Sequence, residues 1–240
     1  MATIHKIPDK SGAMARARLL RYDTSKYRFA DVFKAILKIP DISRLHLGML
    51  HQKREKEGPE AKLDYRDSRK LRDWISMEAE RVKFYEVYEL FMRHVICPYF
   101  NLSITYAQRP RFRVHLAGGP SVSDWHRDTD ITARYDQITA WVPAVDCEGT
   151  NSLWVESDYN KGDFQPVTVK YGEILLFDGA LVHGSVANET DVTRIGFDVR
   201  FAPKRKHEGA DLGILGGREG KLVIPENPQP VQNPGSQIKY

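Results

Sequence analysis

The stretch "EILLFDGALVHGSVANETDVTRIGFDVRFA", residues 173–202, decides how this chain is read. It opens with the apolar run "EILLFDG" (173–179), a length that suits a strand better than a helix. It closes with "RIGFDVRFA" (194–202), where apolar and polar residues alternate with the period of two of a half-buried strand. The Gly, Asn and Asp residues between them are those that turn a chain back on itself.

Working outward, the same pattern recurs upstream in "LSITYAQ" (102–108), "RFRVHLA" (111–117), "DQITAWVPAV" (136–145), "SLWVE" (152–156) and "QPVTVK" (165–170). Many short strands with turn residues and no crossover helices predict an antiparallel sandwich or barrel. Before residue 102 the period changes. "FADVFKAILKI" (29–39) has helical spacing and stops at Pro40, "QKREKEGPEAK" (52–62) reads as a charged loop, and a long helix is predicted from about Asp67 to Ile96, ahead of Pro98. The expected fold is mostly β with flanking helices packed on one sheet. Residues 1–203 form one expected domain, helical over 1–101 and β over 102–203. Residues 204–240, rich in Gly and Pro, read as an extended tail whose "KRK" (204–206) is a solvated cluster.

Composition narrows the function. The chain has 240 residues, 41% of them hydrophobic and 28% charged, ordinary for a globular protein. No apolar run reaches the roughly 18 residues of a membrane-spanning helix, and the basic start lacks a secretory h-region. Two cysteines, Cys97 and Cys147, make no disulfide framework, so the expected compartment is the cytoplasm. A net charge of +4, with acidic residues interleaved, is no nucleic-acid footprint. A small molecule is the expected partner, and the long tail leaves a homodimer open.

The chemistry centres on "DWHRDTD" (124–130). In a strand, His126 and Asp128 project to one side and can share a metal ion. The best third ligand is His183, just after "EILLF", where a turn would aim it inward. Two His and one carboxylate form the facial triad that suits non-haem Fe(II), because positions stay open for oxygen and a co-substrate. Arg194 falls 11 residues after His183. If 183–186 and 193–200 are neighbouring strands, its guanidinium reaches back over the metal and grips a carboxylate in a bidentate fork.

These residues, with "RFRVHLAGGPSVSDWHRDTD", "ITAWVPAVDCEGTNSLWVES" and "KYGEILLFDGALVHGSVANET" around them, resemble the Fe(II)/2-oxoglutarate-dependent oxygenases. The phytanoyl-CoA-hydroxylase-like branch is nearest, together with small hydroxylases of antibiotic pathways of the streptomycin-biosynthesis type. The resemblance covers residues 104 to about 203. It implies a double-stranded β-helix, the cupin-like jelly roll, with Fe(II), 2-oxoglutarate and O2 as cofactors. It also implies conversion of 2-oxoglutarate to succinate and CO2, with oxidation of an unactivated C–H bond of a polar small molecule. By position it implies that Ser185 contacts the 2-oxoglutarate carboxylate and that Trp141 is a pocket aromatic. Related halogenases carry a small residue in place of Asp128, so hydroxylation is favoured here over halogenation.

Other residues are weighed against blander readings. Arg113, on an alternating strand, is counted with the co-substrate residues; Arg200, six after Arg194, is either a second carboxylate holder or a surface ion pair. Trp125, Arg127, Asn151 and Trp154 are assigned to the substrate side, although turn and core roles are the simpler alternatives. His115 is the alternative metal ligand. A fourth ligand there would close the site and favour a non-catalytic metal or 2-oxoglutarate binding module.

Overall fold

The computed structural model describes residues 7–8, 14–100, 103–203 and 220–223. In chain order its strands are β1 (Ile7–Pro8), β2 (Met14–Ala15), β3 (Ala17–Arg21), β4 (Ile104–Ala107), β5 (Arg111–His115) and β6 (Ile138–Pro143). Then follow β7 (Trp154–Val155), β8 (Gln165–Pro166), β9 (Glu173–Asp178), β10 (His183–Gly184), β11 (Arg194–Pro203) and β12 (Gly220–Val223). The helices are α1 (Phe29–Leu37), α2 (Leu45–Glu57), α3 (Tyr65–Glu78), α4 (Phe84–Phe91), α5 (Cys97–Phe100) and the short α6 (Asp128–Thr132).

The large antiparallel sheet runs β12-β4-β11-β6-β9-β3, with β5 also on β11. A small sheet, β10-β7-β8, lies apart, and the bridges His126↔His183 and Cys147↔Val169 extend the pairing around it. The alternation predicts an antiparallel sandwich or barrel with helices outside it, and the two sheets form the jelly roll that the resemblance implies.

Register assigns the two faces of the large sheet. Residues directly opposite on paired strands share a face. Arg194 pairs with His115, Gly196 with Arg113, Asp198 with Arg111 and Trp141, and Arg200 with Thr139. That face is polar. The other carries Phe112, Val114, Ile138, Ala140, Val142, Ile195, Phe197, Val199 and Phe201, all buried. Helices α1 and α4 cover it: Phe29 meets Phe197 at 4.8 Å, and Phe84 meets Phe112 at 4.9 Å, edge to face. Each such ring contributes about 1.5–3 kcal/mol by burial.

Four expectations change. The helix expected over 67–96 is broken at 79–83, where Lys83 is left-handed (φ 57°), and continues as α4, a π-helical turn Met92–Ile96, and α5. Ile75 and Phe84 are both fully buried. Nine residues at about 100° each would point them to opposite sides of one straight helix, so burying both requires the break. Residues 52–57, expected as loop, complete α2, which stops at Gly58 (φ 100°). Its Lys53 bonds Asp67 of α3 at 2.7 Å, so the charged run ties two helices together. The N-terminal part is not wholly helical, because β3 adds to the β9 edge. In the expected tail, Gly220–Val223 forms β12 on β4; the remainder, including 204–206, lies outside the described residues.

Candidate metal centre

His126 and His183 exchange both backbone hydrogen bonds, each N–H donating to the other's carbonyl at 3.0 Å. This bridge brings residues far apart in the chain into register, with ring centroids 4.4 Å apart. Arg127 is extended (φ −105°, ψ 137°) and Asp128 begins α6. The expected continuous strand is therefore absent, but one extended residue is enough to keep His126 and Asp128 on one side. The Asp128 Oδ1 lies 3.6 Å from His126 Nε2 and 3.8 Å from His183 Nε2. Among the described residues these three form a group able to hold a metal, with ligand atoms within 4.8 Å of one another.

The surroundings prepare each ligand. His126 Nδ1 faces the Asp124 carbonyl at 2.7 Å and His183 Nδ1 faces the Leu181 carbonyl at 2.9 Å. A carbonyl can only accept, so each Nδ1 carries the proton and each Nε2 presents its lone pair to the centre. Thr139 donates to Asp128 Oδ2 at 2.5 Å, and Arg200 pairs with Oδ1. Burial raises the Asp128 pKa, but His183, His126, Arg200 and Thr139 outweigh it and hold the carboxyl well below the usual range. Burial lowers the His183 pKa, whereas the neighbouring Asp128 carboxylate raises that of His126. Two neutral imidazoles and one carboxylate, with one side facing a cavity, fit Fe(II).

That cavity is open to solvent; counted with the solvent at its mouth, it encloses about 410 Å³ of empty space. Its wall combines His126, Asp128 and His183 with Arg194, Arg113 and Trp141. Arg194 is buried; its Nη1 donates to the Asn151 carbonyl at 3.1 Å and its Cζ lies 5.5 Å over the Trp141 ring. Among the described residues its Nε has no hydrogen-bond partner, and burial draws the guanidinium pKa down to about 10. A buried cation with spare donors facing a cavity fits one carboxylate of 2-oxoglutarate.

Arg194 gets there by another route than expected. β10 and β11 are not neighbouring strands but belong to different sheets, so the loop after His183 crosses between sheets and Arg194 reaches the cavity from the large sheet. Arg113 lines the cavity in an ion pair with Asp198, which also lines it. Ser185 Oγ accepts from the backbone N–H of Val122 at 3.1 Å and of Ser123 at 3.0 Å, tethering the loop before the metal residues. Asn151 touches Arg194 through its carbonyl, while its Oδ1 accepts from the Glu148 N–H at 2.7 Å. Trp154 stands on β7 opposite Gly184 with its indole nitrogen buried. Trp125 stacks on Phe164 with centroids 4.1 Å apart, and Arg127 donates to Asn160 at 2.5 Å. Both hold the 157–164 loop beside the site. His115 is fully buried beside Arg194, and burial brings its pKa down to about 3; it is not in the metal group.

Sequence reasoning missed Thr139, Ser123, Leu153, Phe177 and Asp198, all in the cavity wall. Thr139 was within reach of it: it lies two before Trp141 on one strand, so the two share a face. Arg200, expected as carboxylate holder or surface pair, is a buried pair with Asp128 itself.

A family model described as phytanoyl-CoA dioxygenase (PhyH) matches residues 154–196, which include His183 and Arg194. The streptomycin biosynthesis protein StrG of Streptomyces griseus is 30% identical over 200 residues, spanning 82% of this chain and 90% of that protein. Among solved structures, CytC3 with Fe(II) and alpha-ketoglutarate aligns over 85% of this chain and 81% of its own, with 15% identity and a TM-score of 0.47. The non-heme alpha ketoglutarate dependent epimerase SnoN from nogalamycin biosynthesis aligns over 88% and 92%, with 13% identity and a TM-score of 0.45. The extent of the StrG match, together with the PhyH segment, shows that the chain belongs to the family of StrG, within the phytanoyl-CoA-dioxygenase-like Fe(II)/2-oxoglutarate-dependent oxygenases.

Proposed function

We propose that the chain hydroxylates an unactivated C–H bond of a small polar molecule in a secondary-metabolite pathway. The observation that carries this reading is the placing of His126, Asp128, His183 and the buried Arg194 around one cavity. When bound, iron with 2-oxoglutarate and O2 supplies the oxidising power, at the expense of converting 2-oxoglutarate to succinate and CO2. His126, Asp128 and His183 hold the metal and leave one side of it to the cavity. Arg194 anchors the distal carboxylate of 2-oxoglutarate, and Trp141 beneath the guanidinium limits its motion. Leu153 and Phe177 exclude water from the reacting region. The Arg113–Asp198 pair offers both charges to the cavity, which suits a polar substrate better than a bare alkyl chain. The relation to StrG, named for streptomycin biosynthesis, supports an antibiotic-pathway substrate.

A coordination sphere closed by a fourth protein ligand would favour a non-catalytic binding module. His115, the candidate for that role, sits with Arg194 instead. The test is an anaerobic titration of the Fe(II) protein with 2-oxoglutarate, watching for the visible charge-transfer band of a chelated iron–oxoacid complex. The band should form in the parent and vanish in His183→Ala. A folded, iron-loaded protein with no band would overturn the reading.

A further inference from the structure

The metal ligand Asp128 is shared. Its Oδ1, the oxygen facing both imidazoles at 3.6 and 3.8 Å, is also the oxygen that Arg200 contacts. Arg200 and Asp128 are 3% and 1% exposed, so water does little to screen the pair. Arg200 does not line the cavity; it approaches the carboxylate from within the large sheet, opposite Thr139. Among the described residues its Nε, Nη1 and Nη2 are buried without a hydrogen bond, and Asp128 is the carboxylate with which it forms an ion pair. A carboxylate oxygen has two lone pairs, and one oxygen can serve a guanidinium and a metal together.

We propose that Arg200 is the resident counter-ion of the metal site: a positioning residue that keeps Asp128 in ligand geometry while the site is empty and lowers the affinity for divalent metal when it fills. This rests on the metal reading above. A buried carboxylate without a partner is costly, so Arg200 stabilises the empty site. The guanidinium remains a few ångströms from a doubly charged ion in a poorly screened interior, which opposes binding. Asp128 does not depend on Arg200 alone for its position. Thr139 holds Oδ2 at 2.5 Å, and the N–H of Thr129, next along α6, donates to the Gly179 carbonyl at 3.2 Å. Removing Arg200 therefore removes repulsion more than it removes order.

The test is Co(II) titration of the full chain, read by the cobalt visible spectrum, with thermal denaturation of the metal-free and Co(II)-loaded proteins. Arg200→Met keeps the side chain's length without its charge. The metal-free variant should melt lower than the parent, gain more on adding Co(II), and bind Co(II) at least ten-fold tighter, a change of about 1.4 kcal/mol. Arg200→Lys keeps the charge and should restore the weaker binding; it also serves should Arg200→Met fail to fold, because a Lys variant binding Co(II) as the parent does would then support the proposal and one binding it less tightly by ten-fold or more would overturn it. Equal or weaker Co(II) binding in folded Arg200→Met overturns the counter-ion role and leaves the metal reading intact. A parent that binds no Co(II) overturns both.

Discussion

His126 and His183 sit directly opposite each other on a single antiparallel bridge, and the same backbone hydrogen bonds that join them set the spacing of their rings. The metal geometry is thus written into the main chain. Two features secure it: Gly184 lets Trp125 lie against the strand after His183, and Phe164 closes over the indole.

Gly184→Ala should disturb this arrangement. A Cβ there would stand 2.8 Å from Trp125 Cε3, closer than packed atoms tolerate. Moving the indole breaks its stack on Phe164, and a cost of about 1 kcal/mol is expected. Thermal denaturation and tryptophan fluorescence report it. In a Phe164→Ala background the added methyl should cost less; strictly additive effects would show that the ring stack and the glycine are not coupled.

Arg194→Met should separate co-substrate binding from metal binding. Arg194 lines the same cavity as the three metal-site residues, and its Nη1 donates to the Asn151 carbonyl rather than to any of them. Loss of a charge-assisted pair with a carboxylate should weaken 2-oxoglutarate about 100-fold, roughly 3 kcal/mol, with Co(II) affinity unchanged. Calorimetric titration with 2-oxoglutarate checks it. Undiminished affinity would move the anchor to another residue, Arg113 first.

Thr139→Val replaces the hydroxyl that donates to Asp128 Oδ2 with a methyl of similar shape. Support of this kind around a ligand commonly tunes metal affinity, and a loss of about ten-fold is expected. The direction is opposite to that expected for Arg200→Met, so the two variants measured side by side separate orientation from charge.

His115 should make the fold acid-sensitive. It is fully buried, and burial followed by the nearby Arg194 brings its pKa to about 3, below the ordinary 6.5. The unfolded chain takes up a proton below pH 6.5 while the folded protein refuses it. The stability due to neutral His115 is therefore complete above 6.5 and is lost as pH falls toward 3, at up to about 1.4 kcal/mol per pH unit. Urea denaturation between pH 4 and 7 should show His115→Leu with a shallower slope than the parent. Identical slopes would mean that His115 takes its proton in the folded state.

The site was legible in sequence where its logic is local. Two residues apart with an extended residue between them means one side, which placed His126 with Asp128 even though α6 begins at Asp128. Polar–apolar alternation separates Phe197 and Val199 from the face of Asp198 and Arg200, although Thr139, on that same face beside Trp141, was missed. The spacing from His183 to Arg194 pointed to one cavity wall holding both but not to the route between them, because a loop that crosses between sheets looks the same in sequence as one that turns back within a sheet. The long helix was misread for the same reason. Its residues have helical spacing on both sides of 79–83, and only the need to bury both Ile75 and Phe84 against one sheet breaks it.

What this sequence determined alone was therefore its menu: which segments pleat, which coil, and which His, Asp and Arg residues are candidates for a metal and a carboxylate. Tertiary structure decided who meets whom. It turned Ser185 toward the 121–123 backbone, Trp125 toward Phe164, and Arg200 onto Asp128. Alternation and helical period act over a few residues and follow from backbone geometry. Partnership between residues 72 apart, as in Asp128 and Arg200, depends on strand order and register, which only burial of the whole apolar face selects.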